Sequence, residues 1–158
     1  MVEVTAKLKI RRSAYKVDVK GRLVLPFEAR RNGQQAARLA SGEEIQLKLP
    51  PGEVLRGGDL VTASDGRVIE VIAAPEKLLH VVGAALPHVA YILGNGHVPA
   101  QFGDGYMRVA DVQGLDGALL QHGLQVSRVE EPFEPEVVGG HAHHDHDHDD
   151  HGHDHHHH

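Results

Sequence analysis

The sequence predicts an α+β protein: a small all-β domain, a second domain in which strands and helices alternate, and a His-rich tail outside any core. Three observations predict it. Apolar and polar residues alternate with a period of two over residues 2–10 and again over 44–49. After Pro75 the rhythm changes to short strands separated by two helix-length segments. Eleven of the 15 histidines lie between His141 and His158, beside five Asp, one Ala and one Gly, where no side chain can anchor a core.

Each element follows from local chemistry. Val2, Val4, Ala6, Leu8 and Ile10 alternate with Glu3, Thr5, Lys7 and Lys9, the mark of a half-buried strand. A second strand is predicted over Arg22–Phe27, with Pro26 near its end. Gln34–Ala40 is helical in composition, yet it lies between strands and stops at Ser41-Gly42, so a hairpin arm competes with the helix. Glu44–Leu49 alternates again and ends at the turn signal Pro50-Pro51-Gly52. Leu60–Thr62 and Val68–Ile72 flank Asp65-Gly66, a dipeptide suited to a tight hairpin. This β domain is expected to occupy residues 1–74.

In the second domain, expected over 75–136, Leu78–Val82 is a short apolar strand. Ala84–Leu93 is a helix with Pro87 tolerated in its first turn. Val98–Phe102 and Tyr106–Ala110 are strands joined by Gly103-Asp104-Gly105. Asp111 is the predicted N-cap of a helix through Gln121, which ends at Gly123. Leu124–Val129 closes as a strand. The order β-α-β-β-α-β is the split βαβ arrangement of a ferredoxin-like domain. Glu131–Glu136 is extended and proline-spaced, and residues 137–158 form the tail.

Composition excludes several chemistries. There is no Cys, which removes disulfide scaffolds, thiolate zinc fingers, iron–sulfur clusters and Cys nucleophiles. No apolar run approaches the roughly 18–20 residues of a membrane span, and the strand-like start is unlike a signal peptide. The expectation is a cytoplasmic protein with no membrane partner. Of the formal net charge of -6, all but one unit belongs to the tail; without it 17 acidic residues face 16 basic ones. That balance predicts no nucleic-acid partner. No phosphate-binding loop of the Gly-x-x-x-x-Gly-Lys-Ser/Thr type is present, and no Ser/His/Asp arrangement is evident, so no enzyme activity is expected.

The tail is built for metal. Imidazole is a good ligand for Ni(II), Cu(II) and Zn(II), and with a pKa of about 6.5 it is largely unprotonated at neutral pH. His141, His143, His144, His146, His148, His151, His153, His155, His156, His157 and His158 supply interchangeable sites, and the intervening Asp residues attract cations. The last four alone would match an expression tag, but His141-Ala142-His143-His144-Asp145-His146-Asp147-His148 does not. In the body, His80, His88 and His122 read as structural or solvated side chains. His97 stands apart. It sits in Leu93-Gly94-Asn95-Gly96-His97-Val98-Pro99, between a helix and a strand, and a twofold dimer would bring two copies together.

The ordered set Leu49-Pro50-Pro51-Gly52, Leu55-Arg56-Gly57-Gly58-Asp59, Ala73-Ala74-Pro75-Glu76, Ala90-Tyr91-Ile92-Leu93-Gly94-Asn95-Gly96-His97-Val98-Pro99 and Pro132-Phe133-Glu134-Pro135-Glu136 spans nearly the whole chain. It resembles the urease accessory protein UreE family of nickel metallochaperones. The resemblance implies a homodimer in which His97 of each subunit holds Ni(II) as cargo and the tail histidines complete its coordination. It implies delivery to the urease apoprotein complex through the urease accessory GTPase, and strand structure for Gln34–Ala40. Two positions depart from the family pattern: Gly96 stands where Arg is usual, and Ala110-Asp111-Val112 lacks a His found in many members. More of the metal load then falls on the tail. Zn(II) or Cu(II) can bind the same donors. The competing readings are a storage or detoxification protein buffering Ni, Zn or Cu, and a metallohydrolase using His97 with Asp111. The latter lacks the three fixed ligands of catalytic zinc.

Overall fold

The structure, a computed structural model, describes residues 1–11 and 17–137. Expectations placed on 138–158, the eleven tail histidines included, lie outside the described residues.

Among the described residues ten strands form two sheets, with short helices between some of them. The first sheet holds β1 (Val2–Arg11), β2 (Val19–Leu25), β3 (Gln34–Arg38), β4 (Glu44–Lys48), β5 (Asp59–Ala63) and β6 (Val68–Ala73), in the order β2-β6-β5-β1-β4-β3. β1 runs parallel to β4, with Val4 opposite Leu47, and antiparallel to β5. The alternation expected of β1 and β4 places Val4, Ile45 and Leu47 in a core with Leu23, Val61, Ile69 and Val71. β5 and β6 form the hairpin over Asp65-Gly66, where Gly66 takes a positive φ of 89°.

Gln34–Arg38 is a strand despite its composition. It pairs antiparallel with β4 from Gln34–Lys48 to Arg38–Glu44. Just beyond it, Ala40 donates its backbone N–H to Arg22 of β2 at 2.9 Å, so the sheet curls until its two ends meet. Ladder pairing and the burial of Leu39 outweigh a helix preference of a few tenths of a kcal/mol per residue.

The strand expected through Phe27 stops earlier. Pro26 has no N–H to continue the ladder, and its carbonyl instead accepts Arg30 N–H, opening the one-turn helix α1 (Phe27–Arg30). That turn buries both Phe27 and Arg30.

The second sheet contains β7 (Pro75–Val82), β8 (Gln101–Gly103), β9 (Tyr106–Ala110) and β10 (Gln125–Pro132) in the order β10-β7-β9-β8. All its pairings are antiparallel. α2 (Leu86–Asn95) and α3 (Leu115–Gln121) pack on one face, through Val89 and Leu119, against Leu79, Val81, Met107 and Val109. Pro87 lies in the first turn of α2, as expected.

The Asp111 cap is a correction. α3 begins only at Leu115 and is preceded by Gly114 in the left-handed region, φ 85°. The Asp111 carboxylate is taken by Arg128 of β10, which donates Nε–H to it at 3.0 Å and a second N–H to Asp116. Likewise β8 starts at Gln101 rather than Val98, because His97–Ala100 is spent turning the chain out of α2.

Candidate metal centre

α2 ends at Asn95, and the next residues close it with backbone bonds. Gly96 N–H donates to Ile92, His97 N–H to Gly94 at 3.0 Å, and Val98 N–H to Leu93 at 2.9 Å. Reversing the chain this way requires a left-handed residue, and the residue that adopts it is His97, with φ 58°. It is the one non-glycine with a positive φ among the described residues. This conformation costs most L-residues about 1–2 kcal/mol, although His tolerates it better than most. Pro99 follows two residues later, a usual companion of a helix end.

The His97 side chain is exposed. It lies at the C-terminal end of α2, where the helix dipole places partial negative charge and favours a cation. The neighbouring face of α2 is unusually apolar for a surface: Tyr91 is 76% exposed and Ile92 46%.

The other body histidines are placed differently. His80 on β7 accepts Arg108 Nε–H at Nδ1, 3.1 Å, and stacks on Tyr106 with ring centroids 4.7 Å apart. His122 donates Nδ1–H to the Ala118 carbonyl at 2.9 Å. His88 is exposed near the start of α2. Among the described residues, no three His, Cys, Asp or Glu side chains converge into a metal site. The other predicted ligands, the tail histidines, lie outside the described residues.

What does approach the His97 turn is the chain leading to the tail. Glu136 N–H donates to the Ala100 carbonyl at 2.8 Å, three residues beyond His97. Glu134 N–H donates to Gln101 Oε1 at 2.9 Å. The Glu134 carboxylate in turn accepts from Arg30 at 2.8 Å, Arg56 at 3.3 Å and Gly57 N–H at 3.1 Å, all belonging to the first sheet and its loops. Phe133 packs edge-to-face on Phe27, centroids 5.7 Å apart. Arg30 and Gln101 carried no sequence signal of their own. The proline-spaced Glu131–Glu136 marked an extended segment, but not its docking partners.

Two family models match in series, the UreE urease accessory protein N-terminal domain over residues 11–74 and its C-terminal domain over 68–158. The chain belongs to the UreE urease accessory protein family. Curated relatives named urease accessory protein UreE agree. That of Burkholderia vietnamiensis is 42% identical over 130 residues, covering 78% of this chain and 65% of the relative. That of Paraburkholderia xenovorans is 44% identical, covering 78% and 58%. That of Nitrosospira multiformis is 40% identical over 134 residues, covering 80% and 76%. The chain thus spans less than two thirds of the length of the first two. The family's members carry the name of accessory proteins rather than enzymes. Among the described residues no helix is long and apolar enough to cross a membrane.

Proposed function

We propose that this chain is a homodimeric nickel metallochaperone that captures Ni(II) and passes it, through the urease accessory GTPase, to the urease apoprotein complex in the cytoplasm. The observation that carries the reading is His97: an exposed imidazole, held in a left-handed turn at the negative end of α2, beside the exposed apolar Tyr91 and Ile92. A twofold contact through that face would bury the apolar surface and bring two His97 side chains to one ion. The names of the relatives support the client, and the strand order β10-β7-β9-β8 supports the ferredoxin-like reading of the second domain.

In this reading residues 1–74 dock the partner, 75–136 dimerise and hold the metal, and 137–158 supply additional ligands. A His97 pair leaves an ion under-coordinated. The tail imidazoles fill and vacate the remaining positions, so Ni(II) is held without a closed cage and can leave by ligand exchange. Zn(II) and Cu(II) compete for the same donors. No bond of a substrate is made or broken, and energy for delivery comes from the GTPase partner.

The test is Ni(II) titration calorimetry with mass from light scattering on four full-length chains. These are the parent, His97→Ala, a variant with the eleven histidines from His141 to His158 replaced by alanine, and that variant combined with His97→Ala. The tail variant should keep one tight Ni(II) per dimer, and adding His97→Ala should abolish it. A tail variant that binds no Ni(II) would instead favour a buffering protein whose metal resides in the tail alone.

A further inference from the structure

Among the described side chains, four arginines are buried or half-buried: Arg30, Arg56, Arg67 and Arg108. Three of them are matched with carboxylates. Arg30 and Arg56 share Glu134, and Arg67 holds Glu43 and Asp65. Arg108 on β9 is the exception, with no carboxylate at ion-pair distance among the described residues. Its Nε–H donates to His80 Nδ1 at 3.1 Å, and its two terminal amino groups have no acceptor there.

The surroundings hold this guanidinium in one orientation. Leu79, Val81, Met107 and Val109 face α2 and α3, so His80 and Arg108, directly opposite one another in the ladder, lie on the other face of the sheet. Tyr106, two residues before Arg108, shares that face. Its ring lies across Gly103 of β8, where any side chain would collide with it. The ring supports both neighbours. His80 stacks on it with centroids 4.7 Å apart, and the Arg108 guanidinium carbon lies 4.9 Å from its centroid, within cation–π range. Three strands thus hold the group by its Nε and its flat face and leave the forked end unused. That end is the part that grips a carboxylate through two parallel N–H···O bonds.

Charge narrows the ligand. Residues 75–136 carry eight acidic and three basic side chains, and Arg128 is already held by Asp111 and Asp116. That surplus repels a polyanion, whether nucleic acid or a run of acidic residues, whereas a lone carboxylate meets a cation already oriented for it. We propose that Arg108 is a docking point for a single Asp or Glu side chain on a protein partner, with Tyr106 and His80 as its positioning residues. The site adds a contact on the second sheet to the docking assigned to residues 1–74. It does not rest on the nickel reading, and its test uses no metal.

The probe is a capped tripeptide, acetyl-Gly-Glu-Gly-amide, titrated at neutral pH into the isotope-labelled full-length chain, with acetyl-Gly-Gln-Gly-amide as its uncharged match. Arg22, exposed on β2, is the internal reference for casual contact between a guanidinium and a carboxylate. The Arg108 Nε–H resonance and the amides of Tyr106 and Gln101 should shift saturably with the glutamate peptide. Half-saturation should come at about tenfold lower concentration than at Arg22, as a bidentate, charge-assisted bond to an oriented group predicts. Arg108→Lys keeps the charge without the fork and should lose that advantage at the two amides. Gly103→Ala displaces the Tyr106 ring, keeps the guanidinium and should also weaken the response; dispersed amide spectra verify that each variant is folded. Parallel titration of Arg108 and Arg22, an equal response to the glutamine peptide, or undiminished binding in either folded variant overturns the proposal. Tighter binding of octathymidylate than of the glutamate peptide would make this face a nucleic-acid surface and overturn it as well.

Discussion

Arg30 and Glu134, 104 positions apart in sequence, meet at 2.8 Å where the two sheets join. Arg30 is fully buried, and burial pushes its guanidinium below the ordinary value while the Glu134 carboxylate opposes that shift. The guanidinium also donates to the backbone carbonyls of Leu25, Leu55 and Phe133. Arg30→Ala leaves those acceptors unmatched beside a cavity and should cost about 2–4 kcal/mol. Glu134→Ala should cost less, about 1–3 kcal/mol, because its carboxylate is partly exposed but its loss strands a buried cation. In urea titrations the double variant should be less destabilised than the sum of the two singles; strict additivity would mean the pair is not coupled.

His97 combines a ligand's exposure with a backbone that favours glycine. Both His97→Ala and His97→Gly remove the imidazole and should abolish the body site for Ni(II) equally. Their stabilities should differ. Alanine at φ 58° keeps the left-handed penalty, so the glycine variant should be about 1 kcal/mol more stable than the alanine variant. Thermal unfolding of the two metal-free proteins measures it. Equal midpoints would show that the turn relaxes when the histidine is removed.

Most strands were legible because alternation is a direct image of a sheet with one wet face. Val2–Ile10 and Glu44–Leu49 carried that image, and Asp65-Gly66 carried its turn. Gln34–Arg38 did not, since Ala and Gln have no period and the decisive partner, β4, is supplied by tertiary pairing. Asp111 illustrates the opposite failure: a good capping residue in isolation, it is claimed by Arg128, 17 positions away. The place of His97 just past a helix was legible from Gly94-Asn95-Gly96 before it and Pro99 after it. Arg30 and Gln101 were not, because their meaning lies in residues about 104 and 33 positions distant.

Two glycines of the second sheet's half of the chain should respond with opposite signs. Gly96 has φ −83°, and a Cβ there would meet the Leu93 carbonyl at an ordinary 3.5 Å. Gly96→Ala should stabilise by about 0.4–1 kcal/mol, by narrowing the unfolded ensemble. Gly83 has φ 145°, and its Cβ would lie 2.9 Å from Leu124 Cδ2. Gly83→Ala should destabilise by more than that amount. Urea midpoints at unchanged slope compare them, and a gain at Gly83 would contradict the strained φ.

Acid should loosen the protein through its ion pairs. The Arg67 hydrogen bond holds the Glu43 carboxyl below its ordinary range, Arg67 backbone and side-chain contacts do the same for Asp65, and Arg128 does so for Asp116. A carboxyl depressed in the folded state contributes stability that is fully present above its unfolded value, about 4, and is lost as pH falls through the lower folded value. The expected window is therefore below about pH 4, with little change between pH 5 and 7 from these groups. Asp116→Asn should lower stability at pH 7 and converge with the parent in strong acid, flattening the pH slope. Nickel capture should fail in a different window, from about pH 7 to 5, because protonated imidazole cannot coordinate. Circular dichroism and Ni(II) titration on the same samples separate the two: at pH 5 the chain should be folded and largely unable to bind Ni(II). Parallel loss of structure and metal at pH 5 would place the weak point in the fold rather than in the histidines.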